Sequence, residues 1–147
     1  MSIFRNITVL LIVAMLSACA GMGGMSKSEG QVSVKIGPPV INDAAKVKRL
    51  RGARTVESLH QYVSTMFKKN KINKSITADI KITKYRGRSS NFSGMVDQLA
   101  VNVKLKKNGR VKKKFNSMIT TRGMGTAAAR KMAKGMAKRI VKQAQAI

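Results

Sequence analysis

Residues 99–119 read LAVNVKLKKNGRVKKKFNSMI, and the way this stretch pairs with itself decides the fold. Leu99, Val101, Val103 and Leu105 occupy every second position, with Ala, Asn and Lys between them. Successive side chains of a strand point to opposite faces, so this run is a strand with one apolar and one polar side. Val111, Phe115 and Ile119 mark its partner, and Lys107-Asn108-Gly109 lies between the two. A two-residue Asn-Gly loop would set Leu105 opposite Lys112 and mix the faces. A three-residue loop with Gly109 in the left-handed region sets Leu105 opposite Val111 and Val101 opposite Phe115. Pairing like with like favours the second register. It places Lys104, Lys106, Lys112 and Lys114 on the outer face, with Lys81 of the neighbouring strand.

Working outward, Ile76 to Tyr85 is that neighbouring strand, with Ile76, Ala78, Ile80 and Ile82 facing inward. Residues 86–94 (RGRSSNFSG) form a basic loop. Tyr85 and Phe92 flank its Arg86 and Arg88, which would give the tip the amphipathic character of a headgroup contact; an ordinary exposed loop is the other reading. Residues 31–36 alternate polar and apolar as a first strand with Val32, Val34 and Ile36 on the core side, and Gly37-Pro38-Pro39 stops it. Asp43 can cap a helix, which Gly52 interrupts. The surer helix runs from Thr55, its expected cap, to Lys69. Glu57 lies in its first turn, Lys68 and Lys69 in its last, and Val56, Leu59, Val63, Met66 and Phe67 form its buried stripe. Residues 126–146 form the last helix. Ala129, Met132, Ala133, Met136, Ile140 and Ala144 point inward, and Arg130, Lys131, Lys134, Lys138 and Lys142 outward. The order β-α-β-β-β-α implies one α+β domain over residues 31–147: a four-stranded, mainly antiparallel sheet with two helices packed on one face.

The N-terminal residues read as a leader. Arg5 supplies the positive start, Ile7 to Leu16 an apolar run, and Ser17-Ala18 the small residues before a cut. At about ten residues the run falls short of the ~20 needed to span a bilayer. Leu16-Ser17-Ala18-Cys19 resembles the lipobox of bacterial lipoproteins. That resemblance implies a signal peptide over residues 1–18 and fatty acylation, palmitate included, at Cys19. Residues 19–30, rich in Gly and Ser, then tether the lipid to the domain. Cys19 is the one cysteine of the chain, so the mature protein is expected to hold no disulfide.

Charge sets the partner class. Lys and Arg number 30 against five acids, a formal net charge of +25 in 147 residues. The acids are Glu29, Asp43, Glu57, Asp79 and Asp97, so nothing acidic follows Asp97. A field of one sign repels itself and attracts polyanions. In an envelope these are anionic lipid headgroups, lipopolysaccharide phosphates or acidic polymers; nucleic acid would be the first reading for a cytoplasmic chain. The anion-binding candidates are Lys81, Lys104, Lys106, Lys112, Lys114, Arg122, Arg130, Lys134 and Lys138.

Ala78-Asp79-Ile80-Lys81-Ile82 resembles the strand after the first helix of the lipopolysaccharide-assembly lipoprotein and related small outer-membrane lipoproteins. The run Leu99 to Leu105 with Asn108-Gly109 resembles their next hairpin, and the Ala-rich last helix fits them too. The resemblance implies the same topology and an outer-membrane location facing the periplasm, with Ala20 after the cysteine matching the sorting pattern. The chain is more basic than that family.

Catalysis finds little support in the sequence. His60 is the single histidine and stands off the apolar stripe of its helix, so no triad or metal site assembles around it. The carboxylates are few and scattered, although Asp79 and Asp97 could approach in space. Residues 123–128 (GMGTAA) read as G-x-G-x-x-A before a helix, but the second strand and ribose-binding acid of a dinucleotide site do not come after it. Two readings of that turn stay open: a plain strand-to-helix connection, or a phosphate contact of free backbone N–H groups beside Arg122. The expectation is a non-enzymatic, cofactor-free lipoprotein that binds an anionic partner. A protein–protein adaptor on an envelope β-barrel or secretion complex is the alternative, and surface nucleic-acid binding the third reading.

Overall fold

A computed structural model describes residues 33–87, 96–123 and 125–147. The expected leader, lipidation site and tether, the strand residue Val32 and most of the basic loop, with Arg88 and Phe92, lie outside the described residues. The elements are β1 (Val34–Ile36), α1 (Ala44–Gly52), α2 (Thr55–Lys69), β2 (Ile76–Arg86), β3 (Asp97–Lys107), β4 (Arg110–Thr121) and α3 (Gly125–Gln145). The sheet order is β1-β2-β3-β4. β1 runs parallel to β2, and the other pairs are antiparallel. A parallel neighbour needs a crossover, and α1 with α2 supplies it. The α+β reading holds, with a helix more than expected.

Asp43 caps α1 as its side chain accepts from the Lys46 N–H at 3.1 Å. Gly52 is the last residue of that helix, and Ala53 is its C-cap. Thr55, however, does not cap α2. Arg54 holds that position with φ 51° and makes no side-chain cap bond, while Thr55 is fully buried inside the first turn. Only two residues join the helices, so Arg54 adopts the left-handed conformation that reverses the chain between them.

The core lies between the sheet and the helices. Ile76, Ala78, Ile80 and Ile82 of β2, and Leu99, Val101, Val103 and Leu105 of β3, are all buried as their alternation requires. Leu59, Val63 and Phe67 of α2 meet them with Met132, Ala133, Met136, Ile140 and Ala144 of α3. Gly135 brings α3 close to the edge strand: a Cβ there would come within 2.9 Å of Ile119 Cδ1. Arg139 ties the same helix to that edge, donating to the Met118 carbonyl at 2.7 Å.

The β3–β4 register differs from the expected one. Lys107 pairs with Arg110 across a two-residue turn, with Asn108 at φ 53° and Gly109 at φ 77°. Two successive left-handed residues give the primed turn whose twist matches the strands. Lys106 then faces Val111, and the pairing shifts so that Leu105 faces Lys113. Lys112 is the extra residue of that bulge. Beyond it Val103 faces Phe115 and Leu99 faces Ile119, so apolar again meets apolar. The additional residue thus sits in the strand and not in the turn. Val111, expected in the core, faces outward and is 43% exposed.

Candidate functional site

One face of the sheet carries the helices; the other carries no described element. On this outer face a single rung crosses all four strands. Lys35 pairs with Asp79, Asp79 with Lys104, and Lys104 with Lys114. Neighbouring strands lie about 4.8 Å apart, so the rung spans roughly 14 Å. Asp79 is its one acid, and its carboxylate pairs with Lys106 from the adjacent rung. Lys104 and Lys114 stand directly opposite each other with no acid between them. Such like-charge pairs destabilise a sheet by a few tenths of a kcal/mol.

The next rung is Lys81, Asn102 and Asn116, with the two amides hydrogen-bonded at 2.9 Å. A second bulge, between Ile82 and Lys84, resets the alternation in the rest of β2. With Thr83 as the extra residue, Lys84 pairs with Ala100 and Arg86 with Gln98, so both cations join the outer face. Tyr85 turns inward and is only 2% exposed, and burial raises its phenol pKa. Tyr85 therefore cannot flank a headgroup-binding loop, and Arg86 belongs to the strand. Asp79 and Asp97 do not approach: Asp79 faces outward opposite Lys104, while Asp97 is buried at the far end of β3.

The expected binding residues separate into four places. Lys81, Lys104, Lys106 and Lys114 share the outer face. Lys112 instead lies at the hairpin tip, where it lines an open cleft of about 540 Å³ with Lys107, Asn108, Arg110 and Ile147. Arg122 is exposed in the turn between β4 and α3. Arg130, Lys134 and Lys138 are exposed on α3, with Lys131 and Lys142, on the side opposite its buried stripe. The helix thus presents its cations away from the sheet. Lys35, Lys84 and Arg86 escaped sequence reasoning. A spacing of three between Ile82 and Tyr85, where a strand needs two, is the signal for the last pair.

His60 is exposed on α2. Among the described residues no group of three or more His, Cys, Asp or Glu side chains comes together, and no helix is long and apolar enough to cross a membrane. The start of α3 borders a shallow cleft of about 240 Å³ lined by Arg49, Tyr85, Gly87, Gly125 and Thr126, among others. Met124, central to the glycine-containing turn, lies outside the described residues.

No family model and no curated protein sequence matches the chain. Among solved structures it is similar in fold to a protein assigned as a lipoprotein from Caulobacter crescentus, at 11% identity and a TM-score of 0.49, over 76% of this chain and 85% of that one. It is similar also to a minor lipoprotein from Acinetobacter baumannii, at 12% identity and a TM-score of 0.42, over 79% and 94%. Protein XCC0632 of Xanthomonas campestris, of family DUF330, is similar at 14% identity and a TM-score of 0.42 over 59% of this chain. The chain spans 56% of that protein's length.

Proposed function

We propose that the chain is a lipid-anchored outer-membrane protein facing the periplasm, whose outer sheet face binds anionic lipid headgroups or lipopolysaccharide phosphates during envelope assembly or maintenance. The carrying observation is the rung of Lys35, Lys104 and Lys114, whose one acid, Asp79, is already committed to Lys106. An anion laid across it relieves the repulsion between Lys104 and Lys114 and gains from each lysine. Near an anionic surface each lysine contributes about 1 kcal/mol. The lipobox at Cys19 supports the anchor, which would hold the domain within reach of such a surface. The work proposed is binding without chemistry.

Reversing Lys35, Lys81, Lys104 and Lys114 to Glu tests this. At about 1 kcal/mol per lysine the loss in affinity for lipopolysaccharide or anionic vesicles is about 1000-fold at moderate salt. Unchanged binding would reject the face. Val111 and Met118, 43% and 51% exposed on the same face, favour a second reading as a protein-docking surface. Capture of one stoichiometric envelope protein, resistant to competition by lipid, would select it.

A further inference from the structure

Two sets of the domain's cations lie on opposed surfaces, and we infer that it bridges two anionic lipid surfaces by binding one on each side. The inference rests on the anion-binding reading of the sheet face. Lys81, Lys104 and Lys114 point out from the side of the sheet opposite the helices. Lys131, Lys134 and Lys138 are exposed on α3, at helical spacing opposite the stripe that packs on the core. A helix about 10 Å across lies between the two sets, together with the sheet. Their separation is therefore roughly 20 Å, more than twice the Debye length of about 8 Å at physiological salt. Each surface is then felt by its own ligand and screened from the other.

That geometry matters because a bilayer is flat on this scale. A membrane lying on the sheet face cannot reach the α3 lysines; α3 itself holds no acid, and Glu57 of α2 lines a cleft with Arg130 at the start of α3 and not with Lys131, Lys134 or Lys138. If α3 were only a solvated surface, the usual mixture of both signs would serve it. A second anionic surface offers these lysines what the first offers the sheet.

The test uses the full chain carrying Cys19→Ser, so that no acyl chain contributes a membrane contact. Vesicles of phosphatidylglycerol and phosphatidylcholine are mixed with it at moderate salt; binding is read by co-sedimentation and clustering by light scattering. The parent chain is expected to bind and to cluster vesicles. A variant with Lys81, Lys104 and Lys114 changed to Glu, and one with Lys131, Lys134 and Lys138 changed to Glu, should each bind more weakly than the parent chain yet still sediment with vesicles in lipid excess through the remaining face, while clustering falls at least tenfold. Lys→Gln versions, which perturb folding least, should lie between. Binding without clustering by the parent chain would overturn the bridge and leave the sheet-face reading standing. Undiminished clustering by either single-face variant would also overturn it. No binding at all by the parent chain would instead reject the reading on which the bridge rests.

Discussion

The two faces of β3 are one residue step apart and live in different worlds. Its odd-numbered residues from Leu99 to Leu105 are buried, against α2, α3 and the inner side of the neighbouring strands. Its even-numbered residues meet Asp79, Asn116 and Lys114 across the outer face. Folding is driven from the first set, because removing apolar area from water contributes about 25 cal/mol per Å². The second set adds little or works against folding, since Lys104 and Lys114 repel. A surface kept at some cost to stability points to a use outside folding.

The comparison can be broken hardest from the inside. Val103→Asp puts a carboxylate where no solvent reaches and should cost about 4 kcal/mol or more, read as a collapse of the urea midpoint. Leu105→Ala should cost about 3 kcal/mol through the cavity left behind. If either is tolerated, the inner face is not the core. At the hairpin that links the two strands, Gly109→Ala places a Cβ at φ 77° and should cost about 1 kcal/mol in the same measurement. The outer face should answer with the opposite sign. Lys114→Glu turns a like-charge pair with Lys104 into an opposite one and should stabilise by about 0.5 kcal/mol while weakening vesicle binding.

The smallest effect lies away from the sheet. The Asp43 carboxyl is held below its ordinary value, first by the hydrogen bond from the Lys46 side chain and then by the Lys46 N–H. A depressed value in the folded state means that the contact contributes fully above the unfolded value, near 3.9, and is lost as pH falls through the folded one. The Lys46 amide resonance should therefore move only in acid, with the sheet signals unchanged.

Period-two alternation made β2 and β3 legible as far as Ile82 and Leu105, and helical spacing made most of the inner stripe of α3 legible, missing Ala128, Ala137 and Val141. What stayed hidden was any feature that breaks a period. In β4 the run Lys112-Lys113-Lys114 has no apolar member to show where the extra residue sits, so pattern alone places the extra residue in the turn. α1 buries just Leu50 among the residues Ala44–Gly52, too little for a stripe. Lys35 joins the outer rung through parallel pairing with β2, a contact between distant parts of the chain that no local pattern records. The basic face was therefore half legible: Lys81, Lys104, Lys106 and Lys114 came from alternation, while Lys84 and Arg86 needed the bulge after Ile82.

The most direct test of the account is the salt dependence of vesicle binding by the full chain beside its Lys81, Lys104 and Lys114→Gln variant. If the outer face binds by charge, affinity for phosphatidylglycerol vesicles falls steeply as salt rises, and the variant binds more weakly with a shallower slope. Equal affinities and equal slopes for the two proteins would contradict it.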